Sequence, residues 1–436
     1  MISHVGIVLL RSGNAQPRLD AVSAPRYAPA MKIWLKYLIA IGLGIALGLV
    51  LPAGLTVLGT LATISLNLAR YALVPLIFFS LPIAAQELHE DKKLLRIATR
   101  TTLYAIASVF LLVLVGILGA FALSPGRIPL SADTASLSSD LPTISSLAIR
   151  LFPANAMSAV LDFDYLLPLA ILGVVLGMAF SFDRTVTKPL HSLFDSASHV
   201  LWQINSFIVE IFPLPLIALA AARTVSLASS PRMGLYFNLI AVVVAEVVFV
   251  CLLVIPLVLY LVDRKSNPFK TLYGLLGPAL LGLSAGHALA PAGALAKHLK
   301  ESLGVRRRAG AVALPLALSF GRAGSAMVSA TAFIVVLSSY SSLGLGSGTI
   351  LWILGFVPLS ALLLGAASAS GPLAALLFLS ASYGRGFESG YLLMVPAALP
   401  LMAAGTFLDT ICAGCIVRLG AVAEGYTTEK PARHFI

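Results

Sequence analysis

Charge is what this sequence has least of. Only 11% of its 436 residues are Asp, Glu, Lys or Arg, against about 25% in a typical soluble domain. With 59% hydrophobic residues and a mean hydropathy of +0.97, most of its surface cannot be solvated by water. That excludes a soluble globular protein and implies one integral to a membrane. Cysteine is equally scarce. Cys251, Cys412 and Cys415 all lie in apolar segments, so no disulfide framework is implied, and the Cys412-x-x-Cys415 pair has no second pair with which to build a zinc site. No HExxH, GxSxG or Walker A signature occurs, and no motif sets a Ser/His/Asp group on facing helices. The expectation is therefore no enzyme, no metal and no cofactor.

Also missing are the roughly ten-residue stretches of alternating polarity that mark a transmembrane barrel, any repeat of 20–50 residues, and any linker to a soluble domain. The apolar segments are continuous and at least about 20 residues long, which makes them helices. The fold expected is all-α and integral to the membrane. Helices are read over about 33–52, 56–86, 99–124, 158–182, 195–222, 234–262, 310–338 and 391–422. Two further apolar stretches are interrupted. Residues 271–303 are broken by SAGHALAPAG, and residues 350–383 by GAASASGP. Gly, Ser and Pro in mid-segment free backbone groups that lipid cannot satisfy, so such backbone must be buried in protein or line a cavity. Two broken segments, each followed by a whole helix, point to two helical hairpins around a transport site between inverted repeats.

Residues 1–30 differ from the rest, and MKIWLKYLIAIGLGIALGLVLP from Met31 is a natural first helix. The expectation is that Met31 is the true start and that the first thirty residues are disordered or not made. Residues 125–156 form the longest polar stretch, expected as a flexible outer loop. The net charge of +11 is spread over loops and so reads as topology, not nucleic-acid binding. With the N-terminus inside, 19 of the 29 lysines and arginines fall on the inner side and five on the outer. This bias places both termini in the cytoplasm of a plasma (inner) membrane protein, with 426–436 as a cytoplasmic tail.

One charge resists that reading. Residues 311–330 run AVALPLALSFGRAGSAMVSA, with Arg322 in the middle. A charge at the bilayer centre costs at least about 2.5–3.5 kcal/mol on insertion scales, and such residues usually mark a solute or ion pathway. Asp409, within TFLDTICAG, is the natural partner. A half-satisfied buried pair is costly, so the two charges are expected to come close. His287 is a candidate for proton coupling because an ordinary imidazole titrates near physiological pH. Glu210 and Glu246, also within helices, are open candidates for proton movement.

The stretch ARYALVPLIFFSLPIAAQELHEDKKLLRIATRTTLYAIASVFLLVLVGILGAFALSPG (69–126) resembles the second and third helices of the dicarboxylate/amino acid:cation symporters, the glutamate transporter family. LFPANAMSAVLDFDYLLPLAILGVVLGMAFSF (151–182), ALAKHLKESLGV (294–305) and LPLALS (314–319) are similar to its fourth helix, its first hairpin and the start of its seventh helix. The resemblance covers about 33–425. It implies eight transmembrane helices plus two re-entrant hairpins, a homotrimer and an elevator mechanism. A scaffold (about 33–86 and 158–222) would hold a moving transport part (about 99–124 and 234–422).

The departures fall at the core of the site. Where the family carries Asn-Met-Asp-Gly-Thr, this chain has Gly321, Arg322, Ala323, Gly324 and Ser325. Its later Asn and Asp fall on Ile416 and Gly420, so the resemblance implies that the usual sodium sites do not form. Proton coupling or exchange is expected in their place. Asp409 matches the family's ligand for a substrate amino group, and Cys412 stands where an Arg holds a side-chain carboxylate. The first hairpin tip is Gly286, His287 and Ala288, and the second includes Ser368, Ala369 and Ser370. The expected solute site therefore comprises Arg322, Asp409, Cys412, Ser325 and the two tips, with His287, Arg322 and Asp409 as coupling candidates. The function expected is secondary active transport of a small carboxylate-bearing solute, an amino acid or a dicarboxylate. The alternatives are a sodium-independent exchanger and a non-transporting receptor or sensor.

Overall fold

The computed structural model describes residues 31–51, 56–129, 149–162, 164–182, 184–230, 233–264, 266–340, 346–363, 371–384 and 386–436. The expectations for 1–30, for most of the polar loop at 125–156, and for Ser368, Ala369 and Ser370 lie outside the described residues. Among those described there is no strand, only an isolated antiparallel bridge between Val305 and Thr427.

The helices in chain order are α1 (Ile33–Val50), α2 (Thr56–Arg70), α3 (Leu73–Glu90), α4 (Leu94–Leu123), α5 (Ala156–Leu161), α6 (Leu166–Phe182), α7 (Arg184–Ile211), α8 (Pro213–Ala228), α9 (Phe237–Phe249), α10 (Ile255–Val262), α11 (Pro268–Ala285), α12 (Ala292–Glu301), α13 (Arg307–Phe320), α14 (Ala323–Tyr340), α15 (Ser347–Leu363), α16 (Gly371–Tyr383) and α17 (Ala398–Ala423). A π turn, Val250–Val254, joins α9 to α10, and a 3₁₀ stretch, Gly390–Ala397, leads into α17. Six helical spans among the described residues are long and apolar enough to cross a membrane, or seven if the pair bent by 56° at Pro213 counts as one.

Local chemistry explains the important ends. Asn267 caps α11 by accepting from the amides of Phe269 and Lys270, and Pro268 fills the first helical position, where its missing N–H costs nothing. Gly286 ends the same helix in the left-handed region, at φ +56°, where a side chain would be strained. After a short tip, α12 packs back on α11. Helices α15 and α16 likewise pack on each other. Both interrupted segments are thus helix pairs, as expected.

Other expected helices divide. The 56–86 segment breaks at 71–72, the 158–182 segment splits into α5 and α6, and the 195–222 segment begins earlier and bends at Pro213. The important correction concerns 310–338, expected whole. It breaks at 321–322 between α13 and α14. Gly321 is a poor helix former, yet hydropathy runs straight across it. The break frees amides at the start of α14, and one of them builds the site.

The largest buried cluster runs through α4, α13, α14 and α17. In the most apolar 18-residue stretch of Arg307–Tyr340, 94% of the residues are buried, against 28% in that of α1 and 33% in that of α4, so Arg322 belongs to the most enclosed span. A second cluster joins α1, α7 and α8 to Leu281, Ala285, Ala290 and Ala294 of the α11–α12 pair. Two basic residues counted with the surface charges lie inside helices. Lys297 is buried on α12, its Nζ donating to Glu210 Oε1 (2.6 Å) and to Ser206 O (3.3 Å), which gives Glu210 a pairing role. Arg223 lies on α8, not in an outer loop. Arg223 was misassigned because a long basic side chain near a helix end reads like a loop charge. The C-terminal tail is docked. Arg306 N donates to Tyr426 O (2.9 Å), Thr428 N donates to Gly304 O (2.9 Å), and Phe435 stacks on Tyr273.

Candidate solute site

The site is built where the 321–322 break faces the middle of α17. Asp409 is 5% exposed. Its Oδ1 accepts from the Ser325 amide at 2.9 Å and its Oδ2 from the Ser325 hydroxyl at 2.5 Å. The Ser325 amide is one of those left unpaired at the start of α14, so the carboxylate also sits at the positive end of that helix. Arg322, in the break itself, is 3% exposed. Its Nε donates to Leu318 O at 3.2 Å. Its Nη1 is buried and has no hydrogen-bond partner among the described residues.

The two charges come within Coulombic reach of each other. Among the described residues they do not close to an ion pair within 4.0 Å, which corrects the simplest form of the expected pairing. The physical reason is competition. Asp409 is already held by two short bonds from Ser325, and the guanidinium is drawn back to the Leu318 carbonyl. A buried cation is thereby left with donor capacity to spare.

Around this pair the structure gathers most of the expected residues. Cys412 is buried one turn beyond Asp409. The start of α16 closes over Ser325: a Cβ on Gly371 would lie 3.3 Å from Ser325 Oγ, and one on Gly405 of α17 would lie 2.6 Å from Pro372 Cγ. The first tip contributes from the other side. Ala288 is buried, and Gly286 lines a cavity of about 280 Å³ with Arg223, Ser284 and Ala403. His287 is within Coulombic reach of Arg70, Arg322 and Arg223. Its Nε2 lies 3.1 Å from Arg70 Nη1, and its Nδ1 accepts from the Leu289 amide at 3.3 Å.

Sequence reasoning missed two of these guanidinium groups. Arg70 ends α2 and pairs with Asp164 at 3.1 Å. Arg223 donates from Nη2 to Ala285 O at 2.8 Å, covering a carbonyl at the end of α11. The available signal was their position at the ends of apolar helices, where a charge needs a partner or a task. Three guanidiniums around one tip make a neighbourhood suited to an anion.

The profile of the sodium:dicarboxylate symporter family matches residues 33–416. The chain belongs to this family. It is therefore a multi-pass membrane protein of a family of transporters, in agreement with its apolar spans. Among its relatives, "C4-dicarboxylate transport protein 2" of Ralstonia nicotianae is 26% identical over 65% of this chain and 65% of its own length. The chain thus spans somewhat less than two thirds of that relative. "Serine/threonine transporter SstT" of Streptococcus agalactiae serotype III is 24% identical, covering 71% of this chain and 75% of its own length. The protein of the same name from Lacticaseibacillus casei is 26% identical, covering 90% and 84%. The symporter family is one of transporters, which speaks against an enzyme.

Proposed function

We propose that this protein is a secondary active transporter of a small carboxylate-bearing solute, an amino acid or a dicarboxylate. The observation that carries this reading is Arg322, a buried guanidinium at a helix break whose Nη1 has no hydrogen-bond partner among the described residues. A planar fork of this kind matches a carboxylate in geometry and charge. Asp409, held at the start of α14 by Ser325, would receive an amino group if the solute has one. Tip residues Gly286, His287 and Ala288 would close one side of the solute. The second tip, with Ser368, Ala369 and Ser370, would close the other. Names of relatives that specify C4-dicarboxylates or serine and threonine support both solute classes.

The architecture proposed is eight membrane crossings with two re-entrant hairpins, in a homotrimer with both termini cytoplasmic. Transport is by an elevator movement of about 99–124 and 234–422 against about 33–86 and 158–222. The usual sodium sites do not fit this chain. Gly321, Ala323, Ile416 and Gly420 offer no side-chain oxygen, and both Asp409 oxygens already accept from Ser325. No transport step is therefore assigned to sodium, and exchange or proton coupling takes its place.

The test is uptake of labelled succinate and labelled serine by proteoliposomes, with and without sodium. Uptake of one of them at the same rate in both conditions, lost in Arg322→Ala protein that still folds, is the expected result. Wild-type uptake in Arg322→Ala would reject the assigned role of Arg322. A steep sodium dependence would reject the reading of degenerate sodium sites.

A further inference from the structure

Glu246, in the last turn of α9, is 3% exposed and takes no part in the solute site. Its carboxyl lies against α4, where a Cβ on Gly119 would overlap Glu246 Oε1. One turn earlier a Cβ on Gly116 would come within 2.7 Å of Met327 O and 3.1 Å of Thr331 Oγ1 of α14. Gly116 and Gly119 thus form a notch that admits Glu246 from α9 and Thr331 from α14.

The oxygen arithmetic in that notch is unusual. Four acceptors surround the Thr331 hydroxyl: Glu246 Oε1 at 3.0 Å, Glu246 Oε2 at 2.9 Å, Met327 O at 3.2 Å and Gly116 O at 3.3 Å. A hydroxyl has one proton, and an ionised carboxylate has none. One further proton, on the carboxyl, gives the pair a consistent arrangement. Glu246 then donates to Thr331 Oγ1, and Thr331 donates its own proton to a backbone carbonyl.

No cation offers an alternative among the described residues, since no charged group acts on Glu246 there. The titratable groups on the elements packed against α9 are Tyr236 on the 3₁₀ turn that precedes it (Met233–Tyr236), Arg96, Arg100 and Tyr104 on α4, Tyr340 on α14, and Cys251 on the π turn. Tyr391 lies on the 3₁₀ stretch that precedes α17, and α17 itself carries Asp409, Cys412, Cys415 and Arg418. Tyr104 is twelve residues from Gly116 and Tyr340 nine from Thr331, so about 18 Å and 13 Å along their helices. A charged carboxylate in this place would be an uncompensated intramembrane charge. A cleft of about 410 Å³ opens beside it between Gly119, Ala122 and Leu123 of α4 and Ala245, Glu246 and Phe249 of α9. The cleft follows one face of α4 to its C-terminal end.

We propose that Glu246, with Thr331, is a proton-binding site that couples proton movement to solute transport. Thr331 stands six residues beyond Ser325 on α14, about 9 Å along the helix, so one rigid element joins the proton site to the residue that holds Asp409. The coupling rests on the transporter reading above; the proton site itself does not.

The full-length protein in proteoliposomes tests the two separately. Infrared difference spectra should contain the carbonyl stretch of a protonated carboxylic acid near neutral pH, present in the wild type and absent from Glu246→Gln. An identical band in both, or no band in either, overturns the proton site whatever the transport result. Counterflow of labelled succinate or serine should persist in Glu246→Gln at near the wild-type rate. Acceleration of uptake by an outside-acid pH gradient, several-fold in the wild type, should vanish in the variant. Retained acceleration in the variant, or none in the wild type, overturns the coupling. Lost counterflow in a variant that unfolds at the wild-type temperature also overturns it, because it would assign Glu246 to solute binding. No counterflow in the wild type would defeat the transporter reading, and with it the coupling, leaving the infrared result to decide the proton site.

Discussion

Helix α14 meets a buried carboxyl group at two points, and the surroundings are opposite. At its first turn Asp409 faces donors, the Ser325 amide and hydroxyl, with the Arg322 charge in reach. Two turns on, Glu246 faces only the Thr331 hydroxyl, whose one proton is also within reach of two carbonyl oxygens. Donors and a nearby cation favour the charged form of an acid; a hydroxyl that can turn to a backbone carbonyl leaves room for the acid's own proton. Side chains of the same chemistry, both nearly inaccessible, are thereby suited to different work, one to holding a solute and the other to carrying a proton.

Breaking the charged end should have the largest effect. Arg322→Ala is expected to weaken binding of whichever of succinate and serine the wild type binds by at least about 30-fold. That corresponds to the lower end, about 2 kcal/mol, of what truncating one member of a buried hydrogen-bonded charge pair costs. Equilibrium binding in detergent measures it, and Arg322→Lys should restore only part because the fork is lost. Asp409→Asn keeps the shape and removes the charge that strengthens two hydrogen bonds. A loss of about 1.5–3 kcal/mol of stability is expected, read as a lower unfolding temperature, and Ser325→Ala should reproduce part of it.

The acceptor end should respond to volume more than to charge. Gly119→Ala forces a methyl group into the Glu246 carboxyl and should cost about 1–3 kcal/mol, as other overpacked sites do. Gly59→Ala, where a Cβ meets nothing within 4 Å, is the control and should be neutral or stabilising. The smallest change is expected for Glu246→Gln, at most about 1 kcal/mol, since an amide can also donate to Thr331. A large loss of stability in that variant, comparable to Asp409→Asn, would erase the contrast between the two carboxyl groups.

Much of this was legible in the residues. Continuous apolar runs located the helices, and the Gly, Ser and Pro interruptions located both helix pairs. Arg322 stood out because no lipid-facing helix keeps such a charge without a use. What hydropathy could not reveal was the break beside it, since LSFGRAGSAM is as small and apolar on one side of Gly321 as on the other. The pairing of Arg322 with Asp409 was anticipated, but the Ser325 amide that competes for the carboxylate becomes available only once that break exists. Lys297 with Glu210 and Glu246 with Thr331 lie 87 and 85 residues apart, and no local pattern links residues so distant.

Composition and periodicity by themselves determined that this chain lives in a membrane, is helical, and carries two interrupted segments. Those properties follow from the solvent each segment can tolerate, and each segment declares that alone. Which charges meet donors, which meet acceptors and which are left with a free N–H was decided only by tertiary structure. Hydrogen-bond stoichiometry belongs to the gap between helices, and that gap exists only after α4, α9, α14 and α17 have packed.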